Sequence, residues 1–146
     1  MILAQWNSEW FIAQRGTTSV PGCSLRLRKS ATPPEGFHVY SVETFWHKYF
    51  PVTDEITFYP ELRYRGCKVT PESWHLESAE PIVKCLLMPE DLDTEAMLGI
   101  KDLAAWARPK YMREAGWEWD PRDGGTKYIH VDDLQKIEGP PPEGAF

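Results

Sequence analysis

Short stretches of this chain alternate large apolar residues with polar ones, and this pattern constrains the fold more than any other feature. In SLRLRKS, Leu25 and Leu27 alternate with Arg26 and Arg28. A period of two is that of a β-strand with one buried and one solvated face. Because residues that favour turns separate several such stretches, the pattern predicts an antiparallel sheet.

The stretch GWEWDPRDGGTKYIHVDD, residues 116–133, predicts a β-hairpin. Asp123, Gly124 and Gly125 supply residue types that tolerate positive φ at a turn. The residues expected on the core-facing side of the hairpin are Trp117, Trp119, Ile129 and Val131. The residues expected on its other side are Glu118, Tyr128 and His130.

Helical periodicity is strongest over residues 92–107, where Leu92, Ala96, Ile100 and Leu103 fall on one stripe. Asp93 is a suitable N-cap for this helix, and proline at position 109 is expected to end it. The segment ETFWHKYF, residues 43–50, predicts a further short helix that ends before proline 51.

These elements predict an α+β fold, a mostly antiparallel sheet of about six strands with one principal helix, residues 92–107, packed on it. The chain has 146 residues, of which 42% are hydrophobic. That length suits one globular domain, which we expect to span residues 1–138. Residues 139–146 read as an extended tail rich in proline and glycine.

The formal net charge is −6, and it is unevenly distributed. Residues 1–30 carry four basic residues and one acidic residue, whereas residues 86–146 carry seven basic and 13 acidic residues. Binding to nucleic acid requires clustered lysine and arginine to neutralise phosphates. The overall charge therefore disfavours nucleic acid as a partner.

The cysteine count and the apolar runs bear on location. The three cysteines include no CxxC pair, and the N-terminal stretch MILAQWNSEWF lacks the features of a secretion signal. No apolar run approaches the roughly 20 residues that a membrane-spanning helix needs. We therefore expect a soluble, cytoplasmic protein with reduced thiols and no membrane partner.

Tests against known motifs leave no catalytic residue, metal ligand or cofactor to predict. Residues 116–133 do not fit calcium-loop or phosphate-loop spacing, the four histidines show no ligand pair such as HxxxH, and no GxSxG elbow occurs. Cys67, with Arg65 and Lys68 nearby, would be reactive if those charges lowered its pKa. We expect a binding protein rather than an enzyme.

A basic strand face is the candidate ligand site. Arg26 and Arg28 share one face of their strand, and Arg63 and Arg65 share one face of LRYRG. If these strands are neighbours, four guanidinium groups converge and would suit an anionic small molecule such as a nucleotide. Trp46 and Tyr49 are the candidate stacking residues. The alternative is that these arginines lie on a solvated outer face and form ion pairs with glutamates.

The preferred function is that of a small binding protein that acts by occupancy. Such proteins include immunity proteins and phage-encoded inhibitors of host defence enzymes. The chain is acidic and holds seven tryptophans, and aromatic anchors dominate protein interfaces. The candidate partner-binding residues are Trp117, Glu118, Trp119, Tyr128 and His130. A basic enzyme or toxin would be a suitable partner.

Two other functions are kept as alternatives. One is a binding or catalytic domain for an anionic small molecule, which would use the arginine face and aromatic stacking. The other is an accessory component of a larger assembly. The sequence also leaves a homodimer open.

Overall fold

A computed structural model of the chain describes residues 2–15, 23–28, 35–39, 45–50, 55–76 and 79–142. The chain divides into two compact units. Unit 1 comprises residues 1–60, 75–81 and 137–146, and unit 2 comprises residues 61–74 and 82–136.

The described residues form eleven strands and two short α-helices. The strands are β1 (Ile2–Trp6), β2 (Glu9–Arg15), β3 (Cys23–Arg28), β4 (His38–Val39), β5 (Phe45–Phe50), β6 (Thr57–Tyr64), β7 (Cys67–His75), β8 (Ile82–Leu87), β9 (Glu118–Asp120), β10 (Gly124–His130) and β11 (Gln135–Gly139). The helices are α1 (Thr94–Leu98) and α2 (Arg108–Glu114). No described helix is both long enough and apolar enough to cross a membrane.

Unit 1 is an antiparallel sheet with the strand order β4-β5-β3-β2-β1-β6. Its first hairpin closes through Asn7 and Ser8, both with positive φ, at 50° and 63°. Trp6 pairs with Glu9 across this two-residue turn. Positive φ at both central residues is the type I′ geometry, whose twist matches that of the flanking strands.

One face of the unit 1 sheet carries an aromatic core. Phe11 is fully buried and stacks on Phe37 with 5.3 Å between ring centroids. The Trp6 ring lies 5.1 Å from Phe50, edge to face. Leu25, on the same face, is also fully buried. Large rings therefore fill much of this core, because each buries more area than an aliphatic side chain.

In unit 2 the end of β6 pairs antiparallel with β7, β7 neighbours β8, β8 pairs antiparallel with β10, and β10 pairs antiparallel with β9. Helices α1 and α2 also belong to this unit. The alternate residues Val83, Cys85 and Leu87 of β8 are buried, while those between them are half-buried. Met97 of α1 and Met112 of α2 are almost fully buried. Each helix thus packs through at least one methionine, an adaptable filler of irregular space.

The hairpin predicted over residues 116–133 is confirmed. β9 pairs with β10, with Trp119 opposite Gly125 and Glu118 opposite Thr126. Trp117, Trp119, Ile129 and Val131 are all buried, as the alternation predicts. The turn itself is Pro121–Asp123, so both glycines lie inside β10 rather than at the bend.

A single helix over residues 92–107 is not formed. Asp93 does cap a helix, since its Oδ1 accepts from the backbone N–H groups of Glu95 and Ala96, each at 3.1 Å. That helix, α1, ends at Gly99, whose φ of 71° gives a left-handed C-cap. Pro109 does not end a helix either, because it lies in the first turn of α2, where its missing N–H is not needed.

The helix predicted over residues 43–50 is also wrong, because residues 45–50 form strand β5. It pairs with β3 on one side and with β4 on the other. The segment is rich in aromatic residues, which fit a half-buried pleated surface. Residues 43 and 44 lie outside the described part of the chain.

The predicted fold class is therefore confirmed in its broad form, a mostly antiparallel sheet with few helices, broadly α+β or mainly β. The eleven strands exceed the expected six or so. A single domain over residues 1–138 stays a prediction. The tail expected over residues 139–146 begins at the last residue of β11, and residues 143–146 lie outside the described part.

Candidate functional site

The four arginines predicted to converge come from β3 and from β6 with its following turn, and these two strands do not pair with each other. Strand β3, with Arg26, pairs with β2 and β5. Strand β6, with Arg63, pairs with β1, β7 and β11. The condition on which a four-arginine face depended is therefore not met. The side chain of Arg28 lies outside the described part of the structure.

Arg63 and Arg65 make contacts within unit 2. Arg63 Nε lies 3.4 Å from Glu61 Oε2, and its Nη1 donates to the Gly66 carbonyl at 3.3 Å. Arg65 lies in the turn that follows β6, and its Nη1 donates to the carbonyl of Met97 at 3.2 Å. Because Met97 belongs to α1, Arg65 satisfies a carbonyl near the end of a helix.

Arg26 has different neighbours, all on one face of the unit 1 sheet. The strand register places Arg26 directly opposite His47 of β5, and His47 directly opposite His38 of β4. Side chains directly opposite each other in an antiparallel pair have Cβ atoms about 5 Å apart. Arg26, His47 and His38 thus form one row across three strands, which we name the Arg-His row.

Of the two predicted stacking residues, Tyr49 lies on this face and Trp46 does not. Tyr49 lies two residues after His47, opposite Ser24, so it shares the face of the Arg-His row. Trp46 lies opposite Leu27 and shares the core-facing side with Lys48 and Phe50. Arg26, His47 and Tyr49 are half-buried, and His38 is exposed.

The electrostatics at His47 are those of a half-buried imidazole that lies opposite an arginine and a second histidine. The pKa of His47 is lowered from its usual value, first by burial and then by the charges of Arg26 and His38. The sequence prediction missed His47 because residues 43–50 were read as a helix, a reading that hides the strand period shared with Arg26.

A cavity of about 520 Å³ lies elsewhere in unit 1, at the first hairpin. Its lining residues include Trp6, Glu9, Glu35 and Lys48. Lys48 Nζ lies over the rings of Trp6 and Phe50, at 4.6 and 5.1 Å from their centroids. The lysine thus makes cation–π contacts with the core rings.

Two of the predicted partner-binding residues in unit 2 prove to be core residues. Trp117 is 3% exposed and Trp119 is 6% exposed, so neither presents an accessible ring to a partner. The Trp117 ring lies 6.2 Å from that of Tyr64, and the carbonyl of Trp119 accepts from Arg113 Nη2 at 3.0 Å. The alternation of both tryptophans with Glu118 predicted that they face the core, and the structure supports that prediction.

The other three predicted partner residues are accessible to different degrees. Glu118 is exposed and Tyr128 is 55% exposed. Lys84 Nζ lies 5.8 Å from the Tyr128 ring centroid and 3.7 Å from Glu72 Oε2. His130 is half-buried, and its Nδ1 accepts from the Asp132 backbone N–H at 3.2 Å. His130 therefore caps the short turn that follows β10.

The most exposed large apolar side chain among the described residues is one that the sequence prediction missed. Trp106 is 87% exposed, in a 3-10 turn, Ala105–Ala107, directly before α2. Ala104 and Ala105 beside it are also exposed. The prediction of a helix through residue 107 concealed this turn.

The three thiols are buried and poorly suited to nucleophilic chemistry. Burial raises the pKa of Cys23 to about 11 and that of Cys85 to about 12. The pKa of Cys67 is also raised, first by burial, although Arg63 acts in the opposite direction. Cys67 Sγ instead accepts from the Asp93 N–H at 3.3 Å. The pKa of Cys67 is thus shifted in the direction opposite to that which a reactive thiolate needs.

No group of three or more histidine, cysteine, aspartate or glutamate side chains that could hold a metal occurs in the part of the chain that the structure describes. No family model, curated protein or solved structure matches the chain.

Proposed function

We propose that the protein acts by occupancy, binding a protein partner through unit 2 in the manner of an immunity protein or a phage-encoded inhibitor of a host defence enzyme. The observation that carries the proposal is the 87% exposure of Trp106. Tryptophan is among the residue types most enriched at the energetic centres of protein interfaces. An isolated ring left in water favours burial against a partner, because its apolar area is large.

Trp106 is presented from a segment that is anchored at both ends. Before it, α1 is closed by the left-handed Gly99, and Arg65 holds the carbonyl of Met97. After it, α2 begins with a proline in its first turn and buries Met112. An anchor that is already ordered loses less conformational entropy on binding than a mobile one.

The charge of the chain favours a basic partner, such as a nuclease-like enzyme or a toxin. The net charge is −6, and Glu118, Asp120 and Asp123 are exposed along the hairpin of unit 2. Helix α2, which follows Trp106, packs against β9 of this hairpin. Carboxylates in an interface steer a basic partner towards it and raise the association rate.

The proposal is tested by comparative capture from a lysate of the native host cell. The baits are the wild type, Trp106→Ser, and Ile137→Ser as a matched control, since Ile137 is an exposed apolar residue of unit 1. We expect a basic protein that the wild type and Ile137→Ser retain and Trp106→Ser loses. A captured set that is the same for all three baits would overturn the proposal.

Light scattering after size-exclusion chromatography distinguishes the binding of a protein partner from self-association of the chain. The occupancy proposal predicts that the wild type and Trp106→Ser have the same oligomeric state. If the wild type forms a homodimer or larger assembly that Trp106→Ser dissociates, the tryptophan meets a second copy of the chain. The inhibitor proposal would then be wrong.

A further inference from the structure

We propose that a hollow on the outer face of the unit 2 sheet binds an arginine side chain of the protein partner. This inference rests on the proposed function and adds the chemistry by which the partner is recognised. The hollow, which we name the hairpin hollow, has a volume of about 330 Å³. Its lining residues include Leu86, Glu118, Asp120, Asp123, Gly124 and Thr126.

The strand register explains the shape of the hairpin hollow. Glu118 of β9 lies opposite Thr126 of β10, which lies opposite Leu86 of β8, so these side chains form one row on the outer face. The next pair along the hairpin on this face is Asp120 and Gly124. Glycine adds no side chain there, and a Cβ at this position would collide with the backbone of β8. The space beside Asp120 therefore stays open.

The rim of the hairpin hollow is acidic. The side chains of Glu118, Asp120 and Asp123 line it, and among the described residues no lysine, arginine or histidine does. None of the three carboxylates forms an ion pair within the described part of the chain. The pKa of Asp120 is lowered, first by backbone hydrogen bonds in the turn, with smaller contributions from the charges of Arg122 and Arg113. The hollow thus presents ionised carboxylates that a partner's cation can contact.

Arginine matches this rim better than lysine does. A guanidinium group carries five donors in one plane, so it can bind carboxylates that approach from different directions. Glu118 and Asp120 come from β9, whereas Asp123 comes from the turn after it. Leu86 and Thr126 are half-buried and offer apolar surface to the methylene stem of an arginine. The volume lies near the lower end of ligand pockets, roughly 300 Å³, which suits a single side chain.

The hairpin hollow also indicates how occupancy would inhibit a basic enzyme. Enzymes that act on phosphate-bearing substrates use arginine to hold the phosphate groups. An arginine of this kind, once bound by the carboxylates of the hollow, is withheld from its substrate. Tyr128 is 55% exposed and lies two residues from Thr126 on the same face of β10, so it extends the contact surface with an aromatic ring.

NMR titration of the full chain with capped tripeptides tests the proposal. The peptides carry arginine, lysine or the neutral analogue citrulline between two glycines. We expect the arginine peptide to shift the backbone amide signals of Gly124, Gly125 and Thr126 until they saturate, with a dissociation constant of about 10 mM or tighter. The lysine peptide should bind at least about threefold more weakly, and the citrulline peptide should leave the signals unchanged.

Two results of this titration would overturn the proposal. If the arginine peptide leaves these amide signals unchanged, the hollow does not bind the side chain. If the lysine or citrulline peptide binds as tightly as the arginine peptide, the hollow does not recognise a guanidinium group.

Variants of the rim show where the peptide binds. Glu118→Gln and Asp123→Asn each remove one charge from an exposed residue, so the protein should remain folded while the arginine peptide binds at least about threefold more weakly. Glu95→Gln is the matched control, an exposed glutamate on α1 of the same unit, and should bind as the wild type does. Equal weakening in all three variants would show a general effect of net charge and contradict the site.

The titration needs no protein partner, so this proposal and the proposed function can fail separately. Absence of arginine binding contradicts the hairpin hollow even where capture of a partner depends on Trp106. Capture that does not depend on Trp106 contradicts the proposed function even where the arginine peptide binds.

Discussion

Gly125 shows that glycine can indicate either a turn or a close approach between a strand backbone and a neighbouring side chain. An Asp-Gly-Gly run reads as a turn, yet the bend is formed by Pro121–Asp123. Asp120 Oδ1 accepts from the backbone N–H groups of Arg122 and Asp123, at 2.7 and 3.3 Å, and closes the bend. Gly125 is instead required where the backbone of β10 meets the Trp119 ring.

We predict that Gly125→Ala destabilises the protein by about 2 kcal/mol or more. A Cβ at residue 125 would lie 2.5 Å from the carbonyl oxygen of Glu118 and 2.5 Å from Cε3 of Trp119. Both are closer than van der Waals contact allows, and the tryptophan is buried. Urea unfolding followed by tryptophan fluorescence measures the change.

The control for this prediction is Thr126→Ala, the next residue along β10, which is half-buried on the other face. It should cost less than about 1 kcal/mol. Equal unfolding midpoints for Gly125→Ala and the wild type would show that the strand can move away from Trp119, and that the close approach is not a constraint.

The candidate site could be only partly predicted from single residues. Arg26 and Tyr49 were identified from their types, and they do share a face. His38 and His47 were not identified. The strand register decides which side chains lie beside each histidine, and the residue type alone does not show the register. The exposure of Trp106 was equally invisible, since it depends on where the helices begin and end.

At the scale of secondary-structure elements, the alternation of apolar and polar residues correctly predicted strands that have one buried and one solvated face. It correctly predicted the core face of β3 and both arms of the 116–133 hairpin. Short segments with mixed periodicity were misread, because pairing with neighbours decides their conformation. Phe45–Phe50 became a strand between β3 and β4.

Pro60 is tolerated in β6 for a local reason. β1 pairs with residues 57–59 of the strand, and the β7 register begins at Leu62. Proline cannot donate to a ladder, and it stands between these two sets of paired residues.

The first hairpin offers a prediction at this scale, because Ser8 adopts a φ of 63° in its two-residue turn. The β6–β7 hairpin closes through Arg65 and Gly66, at 47° and 79°, with glycine in the corresponding position. We expect Ser8→Gly to stabilise the protein by about 0.5 kcal/mol, because glycine adopts positive φ without steric cost.

Thermal unfolding of Ser8→Gly and Ser8→Val measures this effect. The valine variant serves as the opposite control, since β-branched residues strongly disfavour positive φ, and it should melt below the wild type. A wild-type midpoint at or above that of Ser8→Gly would show that the serine side chain contributes to the turn in a way the backbone angles do not reveal.

At the scale of the whole molecule, the sequence indicated the class of sheet and the acidic balance, but not the division into two units. Each unit carries its own candidate surface, the Arg-His row in unit 1 and Trp106 in unit 2.

The proposed binding of a protein partner through Trp106 is tested by the affinity of the purified pair. Titration of the partner against the wild type and Trp106→Ala should give a dissociation constant raised about 30-fold or more, the effect of losing about 2 kcal/mol at an interface centre. His47→Gln, in unit 1, should bind like the wild type. A change below about twofold for Trp106→Ala would contradict the claim.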